Sequence, residues 1–403
     1  MKKNIIICTA LPVWSLGKNS GGRALYSTIS GYINSGWSIS LLTSGGCIPD
    51  EFKDKIAVIE RRKINLSFLR NKFRVINWLL KVINYRLNCV FYKKNCEELL
   101  RSCNYETILY AYEIESVRVL KKLSVKHNLK LVTRFQGTII EPLRCNNIIY
   151  KIRKYQIINA LKTTSDLVIM TNDGTQGLSK LKELGNSSKH IEFWRNGVSV
   201  INKIELNKRE EYRKKHNVDS TDFVFITVSR LESWKRVEQA VIAFGEVYKL
   251  NNSIKLIIIG DGDSKESLID LANTLNLLDA IDFKGKIEQQ YIYEYLIMAD
   301  VFLSFYDISN LGNPLFEAMM CGKPIITLDV GDTKTVIKDN ETGILISLDK
   351  MEIIPSKMKL LIDNQKLRYD IGLKAKNYAD TEFYSWEERM NKEIRKVEDL
   401  FNE

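Results

Sequence analysis

Short apolar runs recur along the chain, each followed by a longer stretch with helical periodicity. The runs Asn4–Thr9, Ser38–Thr43, Thr107–Tyr110, Lys130–Arg134, Leu167–Thr171 and His190–Trp194 read as strands. After a charged stretch at Lys203–Asn217 they resume at Phe223–Ser229, Lys255–Gly260, Ile281–Lys284, Val301–Ser304, Pro324–Leu328 and Gly343–Ile346. Strands that are apolar throughout and spaced by helices predict parallel sheets covered on both faces. Twelve strands in two groups of six predict an α/β protein of two similar doubly wound, Rossmann-like domains. The expected division is residues 1–200 and 201–383, with a closing helix at about 384–403. Ligands of such sheets bind beyond the carboxyl ends of the strands, so the expected site is a cleft between the domains, with the charged stretch as a hinge.

The 403 residues are 45% hydrophobic and 27% charged, a composition that excludes disorder and fibrous classes. Every apolar run is broken well before the roughly 18 residues of a membrane span. The start, Met1-Lys2-Lys3-Asn4-Ile5-Ile6-Ile7, reads as a first strand rather than a leader. Seven cysteines without a Cys-x-x-Cys pair, and three histidines, exclude a zinc cage and a disulfide framework. Cys89, Cys96 and Cys103 recur at seven-residue spacing and read as small buried side chains on one helix face. Residues 1–200 carry 32 Lys and Arg against 14 Asp and Glu, a net +18, whereas residues 201–403 carry 28 against 35, a net −7. Arg61–Arg101 alone holds 11 basic and 2 acidic residues with aromatic and aliphatic residues between them. A basic amphipathic segment of this kind suits an anionic membrane surface. No nucleic-acid-binding motif accompanies the charge.

Three loops carry chemistry. Phe223–Ser229 runs into Arg230-Leu231-Glu232-Ser233-Trp234-Lys235 before a helical pattern, which sets Arg230 and Lys235 on a strand-to-helix loop. Two long cations there suit a diphosphate. Gly260-Asp261-Gly262-Asp263 lacks the third glycine of a dinucleotide fingerprint and reads as a tight turn rather than a metal site. In the segment from Phe305, the loop Asn310-Leu311-Gly312 leads to Asn313 as an N-cap, Pro314 as first helical residue, Glu317 one turn in and Gly322 as a C-terminal stop. The backbone amides from Gly312 to Leu315 are expected to form an anion site, and Glu317 to accept hydrogen bonds from a ribose diol.

These residues resemble the family 4 glycosyltransferases, enzymes of the GT-B fold. The resemblance rests on Asn196-Gly197-Val198, Arg230-Leu-x-x-x-Lys235, Gly260-Asp261-Gly262, Phe283-x-Gly285 and the Asn310–Glu317 segment with its Ala-Met-x-x-Gly-x-Pro continuation. It covers about residues 190–345. Eight residues before Glu317 the family carries a second glutamate, associated with the donor sugar; this chain has Ser309. Ser309 and Asp307 are the candidates for sugar contacts there. More loosely, Ser20-Gly21-Gly22-Arg23 resembles the family's early Gly-Gly loop, and Gln136 stands near the place of a family histidine.

The resemblance implies a retaining glycosyltransferase, of hexosyltransferase type, that uses a nucleotide-diphosphate sugar and neither a metal nor another cofactor. It implies Arg230, Lys235 and Glu317 as catalytic residues. Donor contacts are expected from these three and from Gly21, Gly22, Asn196, Gly197, Gly260, Gly262, Ile287, Ser309, Asn310, Leu311 and Gly312. Acceptor contacts are expected from Glu113, Gln136 and Gly137, with Glu115 and Glu141 as further carboxylates. The closing helix would be anchored by Trp386. With uridine as the expected base, the basic first half suggests a cytoplasmic enzyme peripheral on the inner face of the membrane. Its acceptor would be a polyprenyl-diphosphate-linked glycan of capsule or O-antigen synthesis. The alternatives are a catalytically inactive GT-B-like scaffold and an epimerase or phosphorylase on the same fold. The oligomeric state is not legible from the sequence.

Overall fold

The computed structural model describes residues 3–11, 23–45, 48–64, 74–102, 105–137, 148–199 and 203–403. The chain forms two compact units. The first comprises residues 1–172, 176–196 and 386–403, and the second residues 173–175 and 197–385. Gly21, Gly22, Glu141 and Cys103 lie outside the described residues.

The first unit holds a seven-stranded parallel sheet. Its strands are β1 (Lys3–Thr9), β2 (Ser38–Thr43), β3 (Ala57–Glu60), β4 (Glu106–Tyr112), β5 (Lys130–Phe135), β6 (Leu167–Thr171) and β7 (His190–Trp194), in the order β3-β2-β1-β4-β5-β6-β7. Strand alternation divides the side chains between the faces. Ile5 and Ile7 of β1 join one cluster with Leu25, Ile29 and Trp37, while Ile6 and Cys8 join the other with Val117, Leu120 and Leu161. Strand β3 was not foreseen. It is a four-residue edge strand with no buried residue, so it lacks the continuous apolar run that marks its neighbours.

The second unit repeats the plan with six parallel strands: β8 (Phe223–Val228), β9 (Ile254–Ile259), β10 (Ile281–Gly285), β11 (Val301–Ser304), β12 (Ile325–Leu328) and β13 (Ile344–Ile346). Their order is β10-β9-β8-β11-β12-β13, a doubly wound sheet. Val224, Ile226 and Val228 face one cluster with Leu315, Phe316 and Met319, and Phe225 faces the other with Val241, Phe244 and Met358. The charged stretch after Lys203 is partly folded into the second unit. It contains the short helix Arg209–Lys215, whose Arg213 is buried. Arg213 donates through Nε to the Met298 carbonyl, through Nη1 to the carbonyls of Asp219, Ser220 and Asp222, and through Nη2 to the Asp300 carboxylate at 2.8 Å, so each of its nitrogens has a partner.

The terminal helix Trp386–Asp399 belongs to the first unit. Glu393, fully buried, accepts from Arg134 at 3.2 Å, Arg389 at 3.0 Å and the Tyr110 hydroxyl at 2.7 Å. Buried ions need such partners, because desolvating each costs several kcal/mol. Met390 seats beside Gly31, where a Cβ would come within 2.8 Å of its own Cβ. Arg389, Met390, Glu393, Ile394 and Val397 therefore anchor this helix. Trp386 is only half-buried, with the Arg23 guanidinium 5.7 Å from its ring centre. Among the described residues no helix is long and apolar enough to cross a membrane.

Candidate functional site

In the second sheet β8 lies between β9 and β11, so the loops leaving β8 and β11 diverge from neighbouring strands. This is the position at which open α/β sheets bind ligands. The β8 loop carries Arg230 and Lys235, and the β11 loop runs from Phe305 to Gly312. The two are tied together. The Asp307 amide donates to the Trp234 carbonyl at 2.9 Å, the Tyr306 hydroxyl to the Val228 carbonyl at 3.0 Å, and Arg236 pairs with Asp307.

Lys235 sits between two aromatic faces, its Nζ 3.8 Å from the ring centre of Trp234 and 3.6 Å from that of Tyr306. The side chain is half-buried as a whole; the ammonium end is the enclosed part. Burial, and then the neighbouring Arg230, lower its pKa from the ordinary lysine value to about 7, against the opposing charges of Glu232 and Asp173. The ring faces favour the ammonium and offset part of this drop. Arg230 is exposed, with its guanidinium 2.7 Å from Glu232, whose second oxygen takes the Trp234 indole N–H at 2.6 Å. Trp234, Tyr306 and Glu232 went unread in the sequence. The only signal was a tryptophan next to a lysine.

Gly260 and Gly262 serve this loop from behind. Gly260 has φ +141°, and a Cβ there would fall 1.7 Å from the Ser229 carbonyl oxygen; at Gly262 it would fall 2.4 Å from that of Leu231. Their close approach lets Leu231 donate to Asp261 O at 3.0 Å and Ser264 to Leu231 O at 2.9 Å. Both glycines are in contact with the backbone that carries Arg230. Ile287 is partly buried against the adjoining core. Among the described residues no three His, Cys, Asp or Glu side chains gather as a metal-binding group.

The β11 loop differs from its expected details. Asn310 is fully buried and points inward. Its Oδ1 accepts from Ser304 Oγ at 2.7 Å and Tyr306 N at 2.9 Å, and its Nδ2 donates to the carbonyls of Leu328 and Tyr306. It shapes the loop and offers no side chain to a ligand. Leu311 is also a core side chain. Ser309 Oγ donates to the Asp173 carbonyl at 2.7 Å and accepts from Leu311 N at 3.1 Å, so its hydroxyl is engaged within the protein. Asp307 is engaged by Arg236.

The helix Asn313–Met320 is capped by Gly312 in an extended conformation, not by Asn313. The reason is the fold of the loop: Gly312 N–H reaches Asn310 O at 2.8 Å, and Leu315 N–H reaches Gly312 O at 3.1 Å. Pro314 has no N–H. Of the four expected amides, Asn313 N–H alone has no backbone acceptor among the described residues. A Cβ added to Gly312 would meet nothing nearer than Pro314 Cδ at 3.7 Å, so the cap is open on that side. Glu317 is 2% exposed, and its Oε1 accepts from Gln289 Nε2 at 2.7 Å. A carboxylate has further acceptor sites beyond that one. An apolar residue would pack here without the cost of burying a charge, which makes Glu317 a candidate for recognition.

In the first unit, three expected residues come together beyond β4 and β5. Glu113, at φ +71°, accepts through Oε1 from Gln136 N at 2.7 Å. Gln136 Nε2 donates to Tyr112 OH at 2.8 Å, and Asn196 Nδ2 to Gln136 Oε1 at 3.5 Å. Gly137 is buried beside them. Glu115 does not join this group, because its carboxylate accepts from Asn88 on the helix Arg74–Ser102. Gly197 opens the second unit, where the next residue, Val198, pairs with Tyr384 at 2.9 Å.

The Lys235 environment makes a pH prediction. A bound diphosphate anion favours the ammonium, so binding raises the lysine pKa and takes up a proton. UDP affinity should then fall as pH rises above about 7, by up to about tenfold per unit, or about 1.4 kcal/mol. Lys235→Arg should flatten the profile. Calorimetry from about pH 6 to 9, in buffers of differing ionisation enthalpy, reads both quantities. A UDP affinity of the wild type that is independent of pH would contradict the assignment.

Residues 208–378, most of the second unit, match the model of the family described as Glycosyl transferases group 1. N-acetyl-alpha-D-glucosaminyl L-malate synthase of Bacillus anthracis is 26% identical over 268 residues, 66% of this chain and 67% of that relative. A Campylobacter jejuni enzyme, N-acetylgalactosamine-N,N'-diacetylbacillosaminyl-diphospho-undecaprenol 4-alpha-N-acetylgalactosaminyltransferase, is 25% identical over 239 residues, 58% of this chain and 60% of the relative. Across the leading curated relatives the matched stretch spans from about a third to two thirds of their length. Sucrose-phosphate synthase of Thermosynechococcus elongatus superposes with a TM-score of 0.77 at 17% identity, covering 100% of both chains, a likeness of fold. The doubly wound sheets are thus those of the GT-B fold, and residues 208–378 of the second unit are similar to the glycosyl transferases group 1.

Proposed function

We propose that the protein is a retaining glycosyltransferase whose second unit binds a nucleoside diphosphate sugar. The observation that carries this reading is the tie between the β8 loop, with Arg230 and Lys235, and the β11 loop through Tyr306, with the β11 loop leading into the helix that holds buried Glu317. Departure of the diphosphate leaves negative charge on phosphate oxygens. Lys235, Arg230 and the open mouth at Gly312–Asn313 would stabilise that charge, each cation contributing about 2–4 kcal/mol. Glu317 would hold the ribose diol. In a front-face reaction the departing phosphate oxygen takes the acceptor's proton, so no histidine base is required. Uridine is the base to test first.

A calorimetric screen of UDP, GDP and ADP against wild type and Glu317→Gln tests the donor site. Micromolar binding of one nucleotide, weakened at least about tenfold, or 1.4 kcal/mol, by the substitution, is expected. Equal binding by both proteins would refute the role of Glu317. Failure of the folded wild type to bind any nucleotide would favour the inactive-scaffold reading.

For the acceptor we propose a lipid-linked glycan, such as an intermediate of surface polysaccharide synthesis, met at an anionic membrane. The diphospho-undecaprenol in the Campylobacter relative's name supports a polyprenyl carrier. The helix Arg74–Ser102 supports the membrane. Its exposed Leu79, Ile83, Leu87 and Val90 follow one another at spacings of three and four, which places them on one face. By the same geometry Lys94 and Arg101 continue that face, and Arg86 and Lys93 stand at its edge. Glu97, also on it, is paired with Lys126 at 2.6 Å. Lys93→Gln with Lys94→Gln should weaken sedimentation with phosphatidylglycerol vesicles by about 2 kcal/mol, roughly 30-fold. Equal sedimentation with phosphatidylcholine alone would refute the electrostatic part.

A further inference from the structure

Arg236 stands between the turn Ser233–Lys235 and the helix Val237–Tyr248, and its backbone is left-handed, at φ +47°. Glycine takes that conformation freely, whereas a long side chain there is uncommon and calls for a reason. The backbone bonds do not supply one. The Arg236 amide reaches Ser233 O at 3.1 Å and its carbonyl accepts from Gln239 N at 3.0 Å, bonds that glycine would make as well. The side chain is the particular part. It is half-buried, its Nε pairs with the Asp307 carboxylate, and its Nη1 lies 3.9 Å from Met351 Sδ.

Asp307 meets the same turn twice. Its amide donates to the Trp234 carbonyl at 2.9 Å while its carboxylate takes Arg236. Among the described residues this is the only ion pair that links the β8 and β11 loops. Glu238, on the following helix, is the other carboxylate near Arg236 and Asp307. Each wall of the Lys235 enclosure adjoins one member of the pair. Trp234 lies two residues before Arg236, and Tyr306 lies immediately before Asp307. The two ring centres are 6.0 Å apart with their planes inclined at 71°, and the lysine Nζ lies 3.8 Å from one and 3.6 Å from the other. One wall comes from each loop, so whatever joins the loops at this point sets the gap between the rings.

We infer that Arg236 and Asp307 are a positioning pair that holds the Trp234 and Tyr306 walls closed on Lys235, so that its ammonium meets a diphosphate at a fixed place. This rests on the donor-site reading above and deepens it. Asp307, expected from the sequence to contact the sugar, acts instead through the enclosure of the lysine. No bond forms or breaks at either residue.

The test is a double-mutant cycle read at two pH values, with whichever of UDP, GDP and ADP the wild type binds. The proteins are full chains: wild type, Arg236→Gly, Asp307→Asn and the double variant. Arg236→Gly suits the left-handed backbone and removes only the side chain; Asp307→Asn keeps the shape of the carboxylate. At about pH 6 each single substitution should weaken the nucleotide at least about fivefold (roughly 1 kcal/mol), and the double variant no more than the larger single loss, because both remove one interaction. The loss should shrink toward about pH 9, where the enclosed wild-type lysine must take up a proton on binding, whereas water reaching an opened enclosure keeps the ammonium charged. The other charges that act on Lys235, those of Arg230, Glu232 and Asp173, are the same in all four proteins. A merely structural loss would lower affinity by the same factor at both pH values, and that result would overturn the inference. Additive losses in the double variant, or unchanged affinity in either single variant, would overturn it too. So would an Asp307→Asn protein that binds UDP-glucose or GDP-mannose more weakly but the free nucleotide as before, since Asp307 would then touch the sugar. A folded wild type that binds none of the three nucleotides would overturn the donor-site reading itself.

Discussion

The pairing of β11 with β8 is the constraint on which the second unit depends. Val301 and Phe302 of β11 lie opposite Phe225 and Ile226 of β8, and β9 occupies the other side of β8. Because the strands are parallel, both loops leave the sheet at the same end. One arrives with two cations, the other with a glycine-capped helix and a carboxylate. Neither loop would make a binding site alone. Asn310 joins them to the sheet, since its buried amide spans from β11 to the end of β12. An unpaired amide in that position would cost about 1–3 kcal/mol per unsatisfied group. Bonding to both strands makes the loop conformation a property of the sheet.

Lys235 shows what such a frame can do to one side chain. Enclosed by Trp234 and Tyr306 and crowded by Arg230, the ammonium is held in a setting that favours its neutral form. Tyr306 in turn is fixed by its hydroxyl bond to Val228 O, with burial pushing its own pKa up to about 12. A lysine so enclosed is the kind of group that a bound anion would stabilise, and the proposed donor site rests on that property. The buried ion group around Glu393 in the first unit is different. Arg134, Arg389 and Tyr110 satisfy the carboxylate, and its effect is to dock the terminal helix.

Most of the fold was legible because parallel strands buried on both faces are written as uninterrupted Val, Ile, Leu and Phe runs. Strand β3 escaped because an exposed edge needs no such run. The placement of Glu317, Arg230 and Lys235 just beyond strands β8 and β11 was legible because they stand at short offsets from strand ends and a helix start. The orientation of Asn310 and Ser309 was not, since a polar residue in a loop looks the same whether it faces ligand or backbone. The cap at Gly312 was misplaced by one residue for a related reason. Asn313 has the chemistry of a cap, but the Gly312–Asn310 turn decides where the helix begins.

The central claim is that the β8 and β11 loops of the second unit together bind a nucleoside diphosphate. Hydrogen–deuterium exchange with and without saturating UDP tests it directly. The account predicts slowed exchange confined to residues 229–236 and 305–318 within the second unit, the two segments tied together through Tyr306 and Asp307. Unchanged exchange in both segments under saturating UDP, or protection of one without the other, would contradict it.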